Sequence, residues 1–315
     1  MTGIFGLDMP APDAEELRRA TGIRQMRIEN GPASGQRLIR IDNASGLAVE
    51  LWPDRGLDIG QVWLAGVPFG WMGPIGMSDA ARLRGNQPLS GLLTTCGFDH
   101  IRQPEQDGSL SFPLHGHIVH QPATILTAAL IEEGDQPLFR VEAEVGQFRL
   151  DAGALRLRRR IEVPLLGRGL RLYDEVWVVS GKMPIMAMYH VNLGYPLAGP
   201  GMRLRLNDQD VTEDALGTDG VQTRRAAAAA GRTEAWLHAP GDQCRFGLRF
   251  DPEVLPVFQT LRNSAPGINL VCLEPATHER KPREALRSAG CLPASKTGQT
   301  HRFDLDLCFG VGPQL

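Results

Sequence analysis

The chain has 315 residues, 42% of them hydrophobic, with 33 Lys and Arg against 36 Asp and Glu and a formal net charge of −3. That much apolar sequence can bury a full core without disulfide staples. The slightly acidic balance excludes the basic surface of a nucleic-acid binder and offers no polybasic membrane patch.

The opening stretch, MTGIFGLDMPAPDAEEL, lacks a basic region followed by an apolar one, so it does not read as a signal peptide. No apolar run is long enough for a transmembrane helix. A cytoplasmic protein is expected. Within an N-terminal extension over 1–30, Asp13 is placed to cap a helix, with Glu16 three residues on and EELRRA following.

Period-2 alternation then takes over. RLIRIDN (37–43), LAVELWP (47–53), LDIGQVWL (57–64), LFRVEAEV (138–145), LRLRRRIEV (155–163) and LRLYDEVWVV (170–179) alternate apolar and polar positions. IMAMYHVNL, RFGLRF, INLVCLE and HRFDLDLCF continue the pattern in the second half. Alternation of this kind predicts half-buried antiparallel strands. The 36 Gly and 23 Pro, evenly spread, fit many short strands joined by turns. The segment 208–231, with EDALGTDG and the alanine run Ala226–Ala230, breaks the pattern and reads as an insertion with a short helix or a mobile loop. The expectation is an all-β, mainly antiparallel chain forming one domain over 1–315.

Five cysteines, Cys96, Cys244, Cys272, Cys291 and Cys308, are scattered with no CxxC pair, so reduced thiols buried in strands are expected. No GxGxxG, Walker-type loop, GxSxG elbow or HExxH occurs, which removes the usual evidence for dinucleotide, nucleotide, serine-hydrolase and zincin chemistry.

Four segments could carry chemistry. In LHGHIVH (114–120), His115 and His117 would share one face of a strand, where two imidazoles can ligate a metal, bind a substrate hydroxyl or simply pack. In MAMYHVNLGYP (187–197), His190 sits in an apolar strand with Asn192 on the same face, pairing a titratable group with an orienting amide. The apolar strand INLVCL ends on Glu274, whose carboxylate needs partners if buried and would suit a general base; a structural salt bridge to Arg280 or Arg283 is the alternative. PDRGLDIG (53–60) and LTTCGFDH (93–100) bring Arg55, Asp58, Asp99 and His100, which suit either hydroxyl recognition or ordinary turn chemistry.

LHGHI resembles the LHGG segment of galactose mutarotases, MYHVNLGYPLAG resembles their NHSYFNLAG segment, and VCLEPATH resembles their CLETQ segment, in the same order along the chain. PDRGLDI and LLTTCGFDH look more like a divergent branch, the aldose 1-epimerase-like family DUF4432. The resemblance spans about Arg37 to Phe309. It implies a β-supersandwich and an isomerase that interconverts sugar anomers, with His190 as general acid and Glu274 as general base. It also implies His115 as a sugar ligand, beside His117, Arg55, Asp99, Asn192 and Arg280 as further substrate-binding residues. Asp99 and Asp208 are the two candidates for the family's sugar-binding aspartate, and Trp71 could stack on the sugar or pack in the core. Two departures stand out: Tyr189 precedes the histidine where mutarotases have asparagine, and Pro275 follows the glutamate.

No cofactor is implied by this reading, and the partner is a small-molecule carbohydrate; exposed sheet edges could support a homodimer. Two rivals remain open. One is a cupin-like, metal-dependent sugar isomerase with the metal on His115, His117, Glu274 and another histidine. The other is a non-catalytic carbohydrate-binding module.

Overall fold

The computed structural model describes residues 14–79, 81–82, 90–132 and 136–312. The expected early helix runs over Ala14–Ala20 with Glu15 and Glu16 in its first turn, where acidic side chains favour the positive end of the helix dipole. Asp13, the expected cap, lies outside the described residues.

Every alternating segment read from the sequence falls in a strand, and all strand pairs are antiparallel. An N-terminal sheet holds Gly22–Arg27, Arg37–Asp42, Leu47–Trp52, Asp58–Leu64 and Val67–Pro68 in chain order. A long sheet is built around Leu138–Arg149, Gly153–Pro164, Gly169–Pro184 and Thr300–Val311. A five-stranded sheet, here the inner sheet, is ordered Gly220–Arg225, Val257–Asn263, Leu270–Ala276, Met186–Leu193 and Leu93–Phe98.

The long sheet shows the expected one-sided burial. Phe139, Val141, Ala143 and Val145 are buried while the residues between them are partly exposed. The inner sheet departs from it, because every residue of Met186–Leu193 and Leu270–Ala276 is buried. Both faces of these strands are covered. One face sends Tyr189, Val191, Leu193 and Leu273 into the main core shared with the other sheets. The opposite face carries Cys96, Met188, Val257 and Ala276, packed with Ile101, Leu286 and Leu292 in a second, smaller cluster. Each fully buried apolar side chain of this kind contributes about 1.5–3 kcal/mol. The second cluster therefore packs on the same sheet face as the candidate residues.

The segment 208–231 is folded into this architecture. It carries a short helix, Thr212–Leu216, and its strand Gly220–Arg225 pairs with Val257–Asn263 at the edge of the inner sheet. Four of the five cysteines lie in strands; Cys291 is exposed outside them.

Candidate functional site

Register decides which side chains meet. Gln259 is paired with Glu274, and His190 with Thr94. Met188 is paired with Ala276 and Val191 with Leu273, so the intervening register sets His190 beside Glu274. One row across four strands therefore reads Gln259, Glu274, His190, Thr94. The next row sets Cys272 beside Asn192.

A polarised chain of hydrogen bonds runs along this face. Arg102 Nε donates to Gln259 Oε1 at 2.9 Å, and Gln259 Nε2 donates to Glu274 Oε2. Glu274 Oε1 lies 3.3 Å from His190 Nε2. On the far side of the imidazole, His190 Nδ1 is 2.7 Å from Asn192 Oδ1. Asn192 Nδ2 donates to the Gly91 carbonyl at 3.1 Å, which fixes the amide with its oxygen toward the histidine. Nδ1 must then carry hydrogen, and Nε2 is the nitrogen left to give or take a proton on the Glu274 side. The Nε2–Oε1 contact is at ion-pair distance but is not aligned as a hydrogen bond, so Oε1 is buried without a hydrogen-bond partner.

Two more unpartnered buried atoms gather here, His115 Nδ1 and Arg102 Nη2. The His115 and His190 rings meet edge to face with centroids 5.3 Å apart. Burial, reinforced by His190, His100 and Arg102, holds the His115 imidazole well below its usual value, so it is neutral near pH 7. Burial also lowers Arg102 to about 10, with Glu274 acting in the opposite direction. The His190 and Glu274 side chains are only 3% and 0% exposed, so the pair is closed to solvent.

The strand expected over 114–120 is not formed. Residues 114–117 turn, and a short 3-10 helix follows over Ile118–His120. His115 has φ 64° and Gly116 φ 77°, left-handed values that reverse the chain between the two histidines. Gly116 is required there, because a Cβ would meet the His100 carbonyl and sit 2.7 Å from the Gly97 carbonyl oxygen. The histidines consequently diverge. His115 reaches His190, whereas His117 Nδ1 bonds Asp99 Oδ2 at 2.6 Å and is partly exposed.

Asp99 is buried and spent on His117, whose backbone N–H it also accepts. Asp208 lies on an exposed turn with its side chain 99% accessible, far from the buried character of the site. Arg280 is exposed and lines a cavity beside Arg102. Trp71 is half-buried, and its indole N–H donates to the Ile268 carbonyl at 2.6 Å.

Arg55 belongs to a network beneath the inner sheet. Its guanidinium donates to Asp58, Ser90 O and Leu93 O and lies over Trp52. Asp58 in turn receives Arg159, a fully buried arginine that grips Asp174 with two bonds of 2.8 and 2.6 Å and also donates to Thr95. The Tyr189 hydroxyl donates to Asp174 at 2.7 Å. Tyr189 and Thr95 are the immediate neighbours of His190 and Thr94, so this network anchors the underside of the site row.

Sequence reading missed Arg102 and Gln259. The signal for Gln259 was present, a polar residue inside the apolar strand VFQTLRN, the same interruption that marked His190. Nothing local marks Arg102, whose role comes from a long-range contact.

For metal ligation, the described residues bring together His190, Cys272 and Glu274, whose ligand atoms lie within 4.8 Å of one another. Burial, with Glu274 adding to it, pushes the Cys272 thiol well above its usual value, and its Sγ faces Asn192 Oδ1 at 3.6 Å.

A family model described as a domain of unknown function, DUF4432, matches residues 33–223. No curated protein sequence matches the chain significantly. Among solved structures, a protein of Klebsiella pneumoniae provisionally named aldose 1-epimerase superposes with TM-score 0.80 at 17% identity, covering 91% of this chain and 83% of its own. A galactose mutarotase-like protein from Clostridium acetobutylicum gives TM-score 0.65 at 14% identity, covering 93% and 99%. Galactose 1-epimerase from Lactobacillus acidophilus gives 0.61 at 13%, covering 93% and 100%. At these identities the likeness establishes a galactose mutarotase-like fold.

Proposed function

The chain belongs to the DUF4432 family, and from that premise, its galactose mutarotase-like fold and the His190–Glu274 pair, we propose that it interconverts the anomers of a free sugar or sugar derivative. Glu274 Oε1 takes the proton of the C1 hydroxyl while His190 Nε2 supplies one to the ring oxygen. The ring opens, the C1–C2 bond rotates, and reclosure on the other face reverses both transfers. Acid and base roles of this kind each contribute about 10²- to 10⁴-fold.

The observation that carries this reading is the directionality of the hydrogen bonds. Asn192 holds the Nδ1 hydrogen and Gln259 holds Oε2, which leaves Nε2 and Oε1 facing each other as the reactive atoms. His115, neutral and with an unpartnered Nδ1, suits a sugar hydroxyl. Because the pair is closed to solvent, its surroundings must part to admit substrate. The protein is taken to act as one domain over 1–315.

Polarimetry or exchange NMR on freshly dissolved α-sugars tests the proposal. Catalysed mutarotation is expected on at least one aldose of a broad panel. Saturable binding with no exchange above background would favour the non-catalytic module instead.

A second reading has one specific observation behind it, the His190, Cys272 and Glu274 group. A stoichiometric divalent metal in protein purified without a nickel column, lost in Cys272→Ser, would favour a metal-dependent isomerase. The HxH pair would then not be its ligand set, since His115 and His117 diverge.

A further inference from the structure

A cavity of about 290 Å³ adjoins the candidate site, and Arg102 lines it while reaching Gln259 with its Nε edge. The charged residues around this cavity are Arg102, Glu105, Arg280 and Lys281. Lys281 is paired with Glu279 at 2.5 Å, and Glu105 accepts the Arg283 backbone N–H at 2.7 Å. Arg102 and Arg280 have no carboxylate within ion-pair distance among the described residues. Arg102 spends Nε on Gln259 and Nη1 on the Glu279 carbonyl, but its Nη2 is buried with no partner. An unpaired buried guanidinium edge is costly, and an oxyanion is the group that satisfies it best.

A hydroxyl acceptor stands beside these cations. His100, buried and lining the same cavity, has Nε2 2.7 Å from the Gln103 carbonyl oxygen, so Nε2 carries the hydrogen. Nδ1 is then a lone-pair acceptor, and it too is buried without a partner. Two guanidiniums without a carboxylate partner and a free imidazole acceptor around one cavity describe a ligand with both an anionic group and hydroxyls. The chain as a whole carries a net charge of −3, so this cationic cavity runs against its general charge.

We propose that the substrate is a sugar bearing an anionic oxygen group, a phosphate ester or a carboxylate, whose charge is held between Arg102 and Arg280. This rests on the anomer-exchange reading of the adjoining site. Arg102 then links recognition to chemistry, because the guanidinium that meets the anion also fixes Gln259, which fixes Glu274. Burial holds Arg102 down to about 10, in keeping with a cation whose surroundings do not fully offset its desolvation.

The test compares glucose, glucose 6-phosphate and glucuronate, and the matching galactose series, by exchange NMR and by calorimetric binding. The anionic sugars are expected to show kcat/KM at least about tenfold above their neutral parents, with KM rising as salt is added. The phosphate and uronate arms tell which anion is recognised. Arg280→Met, at an exposed position that does not threaten folding, is expected to narrow the anionic preference about tenfold. No preference for anionic over neutral sugars in binding or exchange, total absence of binding included, overturns the proposal. So does a preference that Arg280→Met leaves intact. Exchange of neutral sugars alone would leave the anomer-exchange reading standing, whereas preferential binding of anionic sugars without any exchange would overturn that reading and keep only the anion site at Arg102 and Arg280.

Discussion

His190 Nε2 lies 3.3 Å from Glu274 Oε1, and the opposite nitrogen of the same ring is committed to Asn192 at 2.7 Å. The second contact gives the first its direction. Asn192 acts through His190, as a positioning residue, so its loss should affect the chemical step more than binding. Asn192→Leu is expected to lower kcat about 10²-fold with KM changed no more than about twofold. Asn192→Asp, which keeps an acceptor, should restore part of the rate and alter the pH profile. Equal effects on kcat and KM from both variants would speak against this role.

Arg159 has no exposed surface and holds Asp58 and Asp174 together under the inner sheet. Arg159→Met leaves Asp174 buried without its cation and Asp58 with Arg55 alone. A loss of about 3–5 kcal/mol is expected, read as a lower urea midpoint with unchanged slope. A loss below about 1 kcal/mol would mean that the network relaxes easily.

Gly116→Ala tests the turn that separates the two histidines. Both its φ of 77° and the crowding of the absent Cβ against carbonyl oxygens oppose alanine. A destabilisation of about 1–3 kcal/mol is expected, with activity falling as His115 is displaced from His190. A variant of full stability and activity would show that the turn tolerates rearrangement.

Acid should destabilise the protein through its buried histidines. Burial lowers His278 to about 4, and His115 is also held well below 6.5. A histidine lowered in the folded state binds fewer protons there than in the unfolded chain, so stability is full above about pH 6.5 and declines as pH falls toward the folded value. For His278 the loss is on the order of 3 kcal/mol by pH 4, from a shift of about 2.5 at 1.36 kcal/mol each. Asp58 and Glu50, raised by burial, act in the opposite sense, adding stability as pH falls through their folded values. Urea midpoints between pH 7.5 and 5 should fall for the wild type, and less steeply for His278→Gln. Parallel slopes would remove His278 from this account.

Strands were legible because a half-buried sheet writes its two faces into the sequence as alternation, as in Leu138–Arg149. His190 and Glu274 were legible because they interrupt apolar strands that are covered on both faces. The HxH segment misled for a local reason: Gly116 and a left-handed His115 turn the chain, and period-2 geometry does not apply. Arg55 looked like a ligand-binding arginine, yet its partners Asp58, Ser90 and Leu93 arrive from the fold. Arg102 and Gln259 were hidden because their meaning depends on a contact spanning 157 positions, which no local pattern reports.

The most direct measurement is the anomer-exchange rate of the wild type beside Glu274→Gln and His190→Ala, on the sugar it turns over fastest, with melting curves recorded on the same samples. Each variant is expected to lose about 10²- to 10⁴-fold in kcat while remaining folded. Exchange rates unchanged in both folded variants would contradict the assignment of this pair as the acid and base.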